Sequence, residues 1–232
     1  MSVHDLAGAL GFSASTVRRD LRALARQSSI RLTYGGASLV RHFDPSFRAR
    51  FALNIEAKKI IGRLAASLVQ DGETIFIDGS TSCFQMIPHL KTRCDLTVVT
   101  HSARVALEFD VGTVKVIHTG GLYRPGILDN VGPMAISAIE DMRGYTAFLG
   151  SDGLAMDFGV SAFDPECAYI SGAAARNAKK TVIAIDHSKF REASLHRIAG
   201  FDKVSCIVTD KAPSMEWRKF LDSKGIELVL PS

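Results

Sequence analysis

The 232-residue chain lacks several features that define whole classes of protein. It has no apolar run near the roughly 20 residues that a membrane-spanning helix needs. Its N-terminus has no basic segment followed by an apolar core, so the sequence predicts no secretory signal. The four cysteines, Cys83, Cys94, Cys167 and Cys206, are far apart and form no CxxC pair. We therefore expect reduced thiols in a cytoplasmic protein and exclude the membrane, secreted and disulfide-stabilised classes.

Signals for metal chemistry, covalent catalysis and nucleotide binding are also scarce. The seven histidines never pair at the spacing that a metal site needs. The sequence contains no GxSxG elbow, no Walker loop and no GxGxxG turn. We therefore expect no metal ion and no bound cofactor, assign no catalytic residue, and favour a small phosphorylated metabolite over ATP or NAD as a ligand.

What the sequence does contain is a globular composition with an uneven distribution of charge. Hydrophobic residues make up 47% of the chain and charged residues 22%, which is typical of a folded protein with a real core. The 28 basic and 24 acidic residues give a net charge of +4. Residues 1–41 hold six arginines against two acids, so they carry the whole excess, and the remainder holds 22 groups of each sign. This asymmetry favours nucleic-acid contact by the N-terminal segment.

The N-terminal segment has the pattern of two helices separated by a tight turn. Ser2 caps residues 2–10, and Asp5 completes a capping box. A Gly-Phe turn follows, and Ser13 caps a second helix over Ala14–Arg26. The apolar positions expected to face the core are Val3, Leu6, Ala9 and Leu10 in the first helix and Val17, Leu21 and Leu24 in the second. The pattern predicts a helix-turn-helix, with an ordinary helical hairpin as the alternative.

Polar and basic side chains on the outward face of the second helix favour the DNA-binding interpretation. Arginine forms the bidentate contact that matches guanine, and hydroxyls near the start of a recognition helix bind phosphates. The predicted contacts on this helix are Ser13, Ser15, Thr16, Arg18, Arg19 and Arg22.

A β-hairpin signal follows the two helices directly. Residues 30–34 and 37–40 form short strand patterns on either side of a Gly-Gly pair. A hairpin in this position is a wing, so we predict a winged helix-turn-helix domain over residues 1–41 that binds a double-stranded DNA operator. The predicted wing contacts are Arg31, Tyr34, Gly35 and Gly36.

Beyond the wing, residues 42–46 have the composition of a linker, and residues 47–232 are expected to form the second domain. A long helix is predicted over residues 46–70. Arg50, Asn54 and Lys58 recur every four residues on one face of it, and we interpret that face as solvent-exposed.

After residue 72 the pattern alternates between strands and helices. Candidate strands are 74–77, 96–99, 114–118, 146–149, 181–185, 204–208 and 227–230, and candidate helices are 83–90, 103–109, 133–142, 165–179 and 214–224. Continuous apolar strands that alternate with helices predict an α/β domain with a mainly parallel, Rossmann-like sheet covered on both faces.

Polar residues collect where these strands end, which is where open α/β sheets bind ligands. Hydroxyls and backbone amides at the start of a helix are suited to a phosphate group. We predict that twelve residues bind the phosphate group and the rest of the metabolite. They are Asp78, Gly79, Ser80, Thr81, Ser82, Thr100, Ser102, Gly120, Gly121, Asp152, Gly153 and Lys189. The charged side chains near these strand ends are suited either to acid–base chemistry or to hydrogen bonds with sugar hydroxyls, and the sequence leaves both open. These candidates are Asp78, Asp152, Glu166, Asp186 and Lys189.

These motifs, in this order, resemble the DeoR family of transcriptional regulators over nearly the whole chain. The resemblance is carried by residues 13–21 of the second helix, Tyr34-Gly35-Gly36-Ala37 of the wing, Arg50, Asn54 and Lys58, and the loops at 78–82, 119–121, 150–153 and 186–190. It implies a winged helix-turn-helix joined to a domain similar to ribose-5-phosphate isomerase. It also implies a repressor of sugar-catabolic genes with a phosphorylated sugar as inducer.

Two departures from the family pattern accompany the resemblance. The family has a helix before the segment that matches residues 3–10, and we expect the DNA-binding domain to lack it. The family often has a lysine in the helix after Glu166, where this chain reads Ala168 to Gly172. We expect a homo-oligomeric regulator, and the alternative is an isomerase-like enzyme with an N-terminal appendage.

Overall fold

The computed structural model describes residues 2–26, 30–33, 35–39, 47–109 and 112–231. The chain forms two compact units, Met1–Pro45 and Ser46–Ser232, here called the N-terminal unit and the C-terminal unit. The predicted linker over residues 42–46 lies outside the described residues, and so does Tyr34.

The first helix of the N-terminal unit runs over Val3–Leu10 and begins at the predicted cap. The Ser2 hydroxyl accepts the Asp5 N–H at 3.1 Å, and the Asp5 carboxylate accepts the Ser2 N–H at 3.2 Å. These reciprocal bonds satisfy two donors that the first turn leaves without helical partners. Gly11 ends the helix in the left-handed region at φ 70°, where a glycine carries no Cβ penalty.

The second helix, Ala14–Arg26, packs against the first around a small apolar core. The buried members of that core are Val3, Val17, Leu21 and Ala37. Three side chains expected in it are instead exposed: Ala9, Leu10 and Leu24, of which Leu10 is 59% and Leu24 43% accessible. Those three burial predictions are wrong, since each helix buries only a narrow stripe and these side chains lie outside it.

The wing is a two-stranded antiparallel hairpin of Ile30–Thr33 and Gly36–Leu39. Thr33 is paired with Gly36, so the turn comes one residue earlier than the Gly-Gly pair predicted. Gly35 takes the positive φ of 77° that the turn requires. Gly36 is held in the strand because the start of the first helix forms an antiparallel bridge with it.

The C-terminal unit begins with two helices, Phe47–Ala52 and Ile55–Ser67, rather than the single long helix predicted. Asn54 interrupts the helical path because it adopts φ 52°, in the left-handed region. Its side-chain amide donates to the Asp186 carboxylate at 3.1 Å. Asparagine tolerates this conformation better than most residues, and its bond to a distant loop stabilises the break.

A seven-stranded parallel sheet forms the centre of the C-terminal unit, which confirms the predicted α/β class. Its strands are Thr74–Ile77, Leu96–Thr100, Val114–His118, Thr146–Leu149, Lys180–Ala184, Cys206–Val208 and Glu227–Val229. Each overlaps a predicted strand and differs from it by at most two residues at either end. The central strands are buried on both faces, as continuous apolar runs require.

Helices cover both faces of this sheet in the described part of the unit. After the first two, they are Thr81–Phe84, Ile87–Leu90, Ala103–Glu108, Pro133–Glu140, Pro165–Asn177 and Met215–Ser223, with 3₁₀ turns at His187–Lys189 and Phe201–Lys203. The helix predicted over residues 83–90 is therefore two four-residue helices. Pro88 lies in the first turn of the second one, where its missing N–H has no helical partner to lose.

The pattern gave no sign of five short antiparallel strands. One hairpin pairs Leu122–Arg124 with Asp129–Val131. A separate sheet pairs Gly159–Ala162 with Gly153–Ala155 on one side and His196–Ala199 on the other. Strands of three or four residues are too short to show a two-residue period, and these are rich in small and polar residues.

The order of strands in the large sheet fixes where a ligand is expected. The first strand, Thr74–Ile77, is central, and the next two strands along the chain add to one side of it. The chain then returns to the other side of the first strand with Thr146–Leu149. The carboxyl ends of these two neighbours flank the topological switch point, the usual ligand-binding position in open α/β sheets.

Candidate functional site

A cavity of about 110 Å³ opens at this switch point. A single water needs roughly 10–15 Å³ on the same measure, so the cavity has room for a small molecule. Its lining residues are Arg50, Leu53, Lys58, Asp78, Gly79, Ser80, Thr81, Ser82, His101, Asp129, Gly150, Ser151, Asp152, Ala162, Cys167, Ser171, Asp186, Lys189 and Ile198. They come from loops after four strands of the large sheet, from the segment with the first two helices of the unit, from the helix Pro165–Asn177, and from the short antiparallel strands.

Seven of the twelve residues predicted to bind the ligand lie together around this cavity. They are Asp78, Gly79, Ser80, Thr81, Ser82, Asp152 and Lys189. Five others do not line it: Thr100, Ser102, Gly120, Gly121 and Gly153. The reason is partly topological, because the strand before Gly120 is at the edge of the sheet, two strands from the switch point.

Two of those five residues, Thr100 and Gly153, have a local structural role. The Thr100 hydroxyl donates to the Ile77 carbonyl at 2.7 Å and accepts the Ser102 N–H at 3.1 Å. Gly153 is paired within the small antiparallel sheet, where a Cβ would collide with the Glu192 carbonyl. Thr100 therefore joins two neighbouring strands, and Gly153 permits a close backbone approach.

The loop over residues 78–82 is held in shape by its own first carboxylate. Asp78 accepts the Ser80 N–H at 3.0 Å and the Gly150 N–H at 2.7 Å, which ties the two central loops together. The Ser80 hydroxyl accepts the Cys83 N–H at 3.3 Å. Both carboxylate oxygens of Asp78 thus have backbone partners, so Asp78 holds the two loops together while it lines the cavity.

Three backbone donors of this loop have no protein acceptor among the described residues. They are the N–H groups of Gly79, Thr81 and Ser82. The hydroxyls of Thr81 and Ser82 lie in the same loop, and both side chains are largely buried at the cavity wall. Adjacent free amides and hydroxyls form a concave set of donors that is suited to an anion.

A cluster of cations lies around one carboxylate on another wall. Lys58 is only 5% exposed, and its ammonium donates to the Arg50 carbonyl. Burial lowers the pKa of Lys58; the charge of Asp186 acts against that change, while Lys189 and Arg50 add to it. This wall therefore holds three cations against one carboxylate and offers positive charge to an anion, whereas Asp78, Asp129 and Asp152 lie elsewhere around the cavity.

The single carboxylate of this cluster is firmly bonded. Asp186 accepts hydrogen bonds from the Ser188 N–H at 3.0 Å, from the Ser188 hydroxyl at 2.5 Å and from Asn54. Burial alone would raise the pKa of Asp186, but these bonds and the nearby charge of Lys189 outweigh it, so the pKa is lowered. Asp186 therefore stays ionised and holds the cluster together.

The interpretation of Arg50, Asn54 and Lys58 as a solvent-exposed face is wrong. Arg50 and Lys58 line the cavity, and Asn54 bonds Asp186 beside them. The four-residue spacing was the available signal, because it placed two cations and an amide on one face of a helical segment. Their burial depends on the break at Asn54 and on packing against distant loops, which no local pattern specifies.

The remaining wall comes partly from the helix that begins after Asp164. Cys167 and Ser171 of this helix line the cavity, and burial raises the pKa of the Cys167 thiol well above its ordinary value. Glu166, named as a candidate base, does not line the cavity and pairs instead with Arg124 at 3.3 Å. Asp152 lines it and accepts the Phe163 N–H at 2.9 Å.

The predicted recognition face lies on the exposed side of the second helix of the N-terminal unit. Ser13, Ser15, Arg18, Arg19 and Arg22 are exposed, and Thr16 is half-buried. The Ser13 hydroxyl caps the helix by accepting the Thr16 N–H at 3.2 Å. Gly35 is exposed in the wing, Gly36 is buried, and the side chain of Arg31 lies outside what the structure describes.

The described part of the chain shows no sign of a metal site or of a membrane span. No three His, Cys, Asp or Glu side chains in that part come together as a metal-binding group. Nor does that part contain a helix of the length and apolar character needed to cross a membrane.

Sequence comparisons match both units of the chain to one family. A model of the DeoR-like helix-turn-helix domain matches residues 1–43, and a model of the DeoR C-terminal sensor domain matches residues 53–211. The HTH-type transcriptional repressor GlcR of Bacillus subtilis is 30% identical over 95% of this chain and 86% of its own length. The glycerol-3-phosphate regulon repressor of Escherichia coli is 28% identical over 99% of this chain and 92% of its own length.

Solved structures give more distant matches. Ribose 5-phosphate isomerase A from Methanocaldococcus jannaschii matches with a TM-score of 0.45 and 16% identity, over 60% of this chain and 55% of that chain. The eIF2B beta subunit from Chaetomium thermophilum matches with a TM-score of 0.46 and 14% identity, over 77% of this chain and 61% of that chain. The chain spans about half the length of the isomerase structures that it matches. Because the sensor-domain model alone covers more than half of the residues, the chain belongs to the DeoR family of transcriptional regulators.

Proposed function

We propose that this DeoR-family regulator represses sugar-catabolic genes and leaves its operator when a phosphorylated sugar occupies the cavity of the C-terminal unit. The observation that carries the effector half of the proposal is the cluster of Arg50, Lys58 and Lys189 around Asp186. A buried lysine is costly unless an anion or polar partner compensates its charge. A phosphate dianion supplies that compensation and gives three acceptor oxygens to the surrounding donors.

The loop over residues 78–82 supports the same ligand class from a second wall. Its free N–H groups and the Thr81 and Ser82 hydroxyls supply donors for phosphate oxygens. The helix that follows has only four residues, so its dipole adds little, and the individual amides matter more than the helix end. Asp152 remains available to accept from a sugar hydroxyl through the oxygen that does not bond Phe163.

For the operator half of the proposal, Ser13, Ser15, Thr16, Arg18, Arg19 and Arg22 of the second helix are the contacts that we infer with bases and phosphates, and the wing adds Arg31, Tyr34, Gly35 and Gly36. The exposure of three arginines on one helix supports this assignment. We take residues 1–41 as the DNA-binding domain, residues 42–46 as its linker and residues 47–232 as the effector domain. A regulator acts where the DNA is, so we place the chain in the cytoplasm.

We further propose that the cavity binds its ligand without converting it. A sugar isomerase needs a base near the reacting carbon and an electrophile at the carbonyl oxygen. Asp152 is the base candidate that lines the cavity, while Glu166 pairs with Arg124. The helix that forms the adjacent wall presents Ser171 and Cys167 rather than a cation.

We infer a homo-oligomer from apolar surface on the C-terminal unit. Leu107, Leu122 and Met134 are 76%, 67% and 75% exposed on neighbouring elements of the chain. Large apolar side chains exposed in one region favour burial against a partner. Light scattering at several protein concentrations tests this, and a monomer at every concentration contradicts it.

The proposed function is tested by combining ligand screening with DNA retardation. An operator is first selected from a random DNA library, and the protein is then screened for thermal stabilisation by a panel of sugar phosphates. We expect at least one sugar phosphate to raise the melting temperature and to release the selected DNA. Stabilisation by none of them, or conversion of a pentose or hexose phosphate that Asp152→Asn abolishes, contradicts the proposal.

A further inference from the structure

Two buried polar side chains of the cavity have no hydrogen bond to any described residue. His101 is 2% exposed and Asp129 is 4% exposed, and both line the cavity. His101 Nδ1 and Asp129 Oδ1 have no partner among the described residues. The remaining contact between the two side chains, Nε2 to Oδ2, is 3.8 Å, which is too long for a hydrogen bond.

Backbone pairing brings these two side chains next to each other. His101 lies in the loop after the second sheet strand, and its carbonyl accepts the Asn130 N–H at 2.8 Å. Asp129 lies on the short hairpin, which also bridges Ser102. The imidazole stacks on Phe76 with ring centroids 6.0 Å apart. The gap between the two side chains therefore follows from where the fold places these two segments.

Buried polar groups in native proteins are nearly always hydrogen-bonded, and an unsatisfied one is costly. A hydroxyl is the smallest group that can bond both His101 Nε2 and Asp129 Oδ2 across this gap, because it donates to a carboxylate while it accepts from an imidazole N–H. A methylene bonds neither atom, and a phosphate dianion has no proton for the carboxylate.

We propose that His101 and Asp129 form a hydroxyl-binding pair that determines specificity, so that the cavity selects a phosphate ester carrying hydroxyl groups over one that carries none. This inference rests on the proposed function, since it assumes that the cation cluster binds the phosphate. It adds two residues, neither predicted from the sequence, that recognise the other part of the same ligand.

The position of Asp129 gives the inference an unusual signature. Its carboxylate packs against Gly79, where a Cβ would lie 2.5 Å from Oδ2. The negative charge therefore lies next to the loop with free amides and repels an anion there. Removal of that charge is expected to leave the affinity for inorganic phosphate unchanged or to raise it. The same change is expected to lower the affinity for a hydroxylated ester.

Calorimetry on the full chain tests this with four probes: inorganic phosphate, monobutyl phosphate, ribose 5-phosphate and glucose 6-phosphate. We expect the wild type to bind the better sugar phosphate about tenfold or more tightly than monobutyl phosphate, as one well-made hydrogen bond to a charged group provides. Asp129→Asn keeps the shape of the side chain and is expected to reduce this preference without weakening the binding of inorganic phosphate. His101→Asn is also expected to reduce the preference for sugar phosphate over monobutyl phosphate.

The control is Asp157→Asn, which removes the same charge from an exposed turn outside the cavity and is expected to change none of these affinities. Melting curves identify any variant that fails to fold. If Asp129→Asn does not fold, the affinities of His101→Asn provide the test. The inference is overturned if Asp129→Asn loses affinity equally for sugar phosphate and for butyl phosphate. It is also overturned if the wild type shows no preference for hydroxylated esters. If the wild type binds none of the four anions, the proposed function itself fails.

Discussion

The two units of this protein differ sharply in how much apolar surface they bury. Within the described residues, the N-terminal unit has four buried apolar side chains in its core. The C-terminal unit has two extensive cores, one on each face of the sheet, in which side chains such as Phe76, Phe148 and Ile183 are fully buried. The small unit also leaves Leu10, Phe12, Leu24 and Leu32 largely exposed.

This difference indicates that the proposed DNA-binding surface and the cavity lie in units of different stability. A small domain buries a lower fraction of its surface and is only marginally stable. The helix that we propose to contact DNA therefore lies in the unit that we expect to open more easily, whereas the cavity lies at the centre of a large sheet. We expect amide exchange to be faster over residues 3–26 than over the central strands, and uniformly slow exchange in both regions contradicts this picture.

The largest effect is expected when the same substitution is made in each core. Leu21→Ala removes one of the few buried side chains of the N-terminal unit, at a cost of about 2–5 kcal/mol in its free energy of unfolding. We expect this unit to unfold and operator binding to disappear, while calorimetry still detects sugar phosphate binding.

Leu149→Ala is the matched change in the C-terminal unit, where Leu149 is fully buried in the larger core. We expect a lower melting temperature for that unit with both binding activities retained at 25 °C. If Leu21→Ala leaves operator affinity intact, the N-terminal unit has more stability in reserve than its core indicates.

The next largest effect is expected from a substitution that weakens ligand binding by the C-terminal unit and leaves DNA binding unchanged. Lys58→Met removes the buried ammonium of the cation cluster but keeps an unbranched side chain of similar length. We expect the affinity for sugar phosphate to fall by about 10- to 100-fold, because a charge-assisted hydrogen bond contributes about 1.5–3 kcal/mol. DNA retardation without effector is expected to match the wild type. Lys59→Met, at the adjacent exposed position, is the control and is expected to leave both affinities unchanged.

A third effect lies in the N-terminal unit alone. Arg18→Ala or Arg19→Ala is expected to cost about 1–3 kcal/mol of operator binding if the arginine reads a base, with relaxed preference at that base pair. A phosphate contact instead reduces the salt dependence of binding without changing the preferred sequence. Titrations of DNA at several salt concentrations distinguish the two. If the double variant retards the operator as strongly as the wild type, the assignment of the second helix as the recognition helix is wrong.

Features of the fold set by local pattern or by strand order could be predicted from the sequence. The Ser2 capping box and the seven apolar strands follow from residue types at fixed spacings, and both are present. The carboxyl edge of a parallel sheet is a property of its topology, so residues such as Thr81 and Lys189 could be placed at one edge without coordinates.

Features that depend on contacts between distant segments could not be predicted. The break at Asn54 requires Asp186, which is 132 residues away. Lys58 becomes buried only when that break turns its helix toward the loops of the sheet. Asp129 lies on a hairpin strand of three residues, a length that gives no periodic signal, so its approach to His101 had no trace in the sequence.

A smaller effect is expected from the loop over residues 78–82. Thr81→Val is nearly isosteric and removes one hydroxyl from a side chain that lines the cavity. Loss of one donor to the phosphate is expected to weaken effector binding about tenfold, within the roughly 1–3 kcal/mol attributed to an unpaired polar atom. Operator affinity without effector is expected to stay unchanged, so the protein remains on DNA at effector concentrations that release the wild type. Equal affinities of Thr81→Val and the wild type for every ligand place the phosphate elsewhere.

The smallest effect is a pH dependence of ligand binding that originates at Lys58. Burial lowers the pKa of this lysine below its ordinary value of 10.5 in the free protein, and a bound phosphate dianion favours the charged ammonium and raises that pKa. Binding therefore takes up protons wherever the free lysine is partly neutral, and the affinity falls as the pH rises through the lowered pKa toward 10.5. Calorimetry in buffers of different ionisation enthalpy measures the proton uptake directly. Lys58→Arg is the control, because a guanidinium stays charged throughout this range and is expected to abolish the uptake. Equal proton uptake in the wild type and Lys58→Arg would assign the pH dependence to another group and leave the role of Lys58 in phosphate binding to the affinity measurements alone.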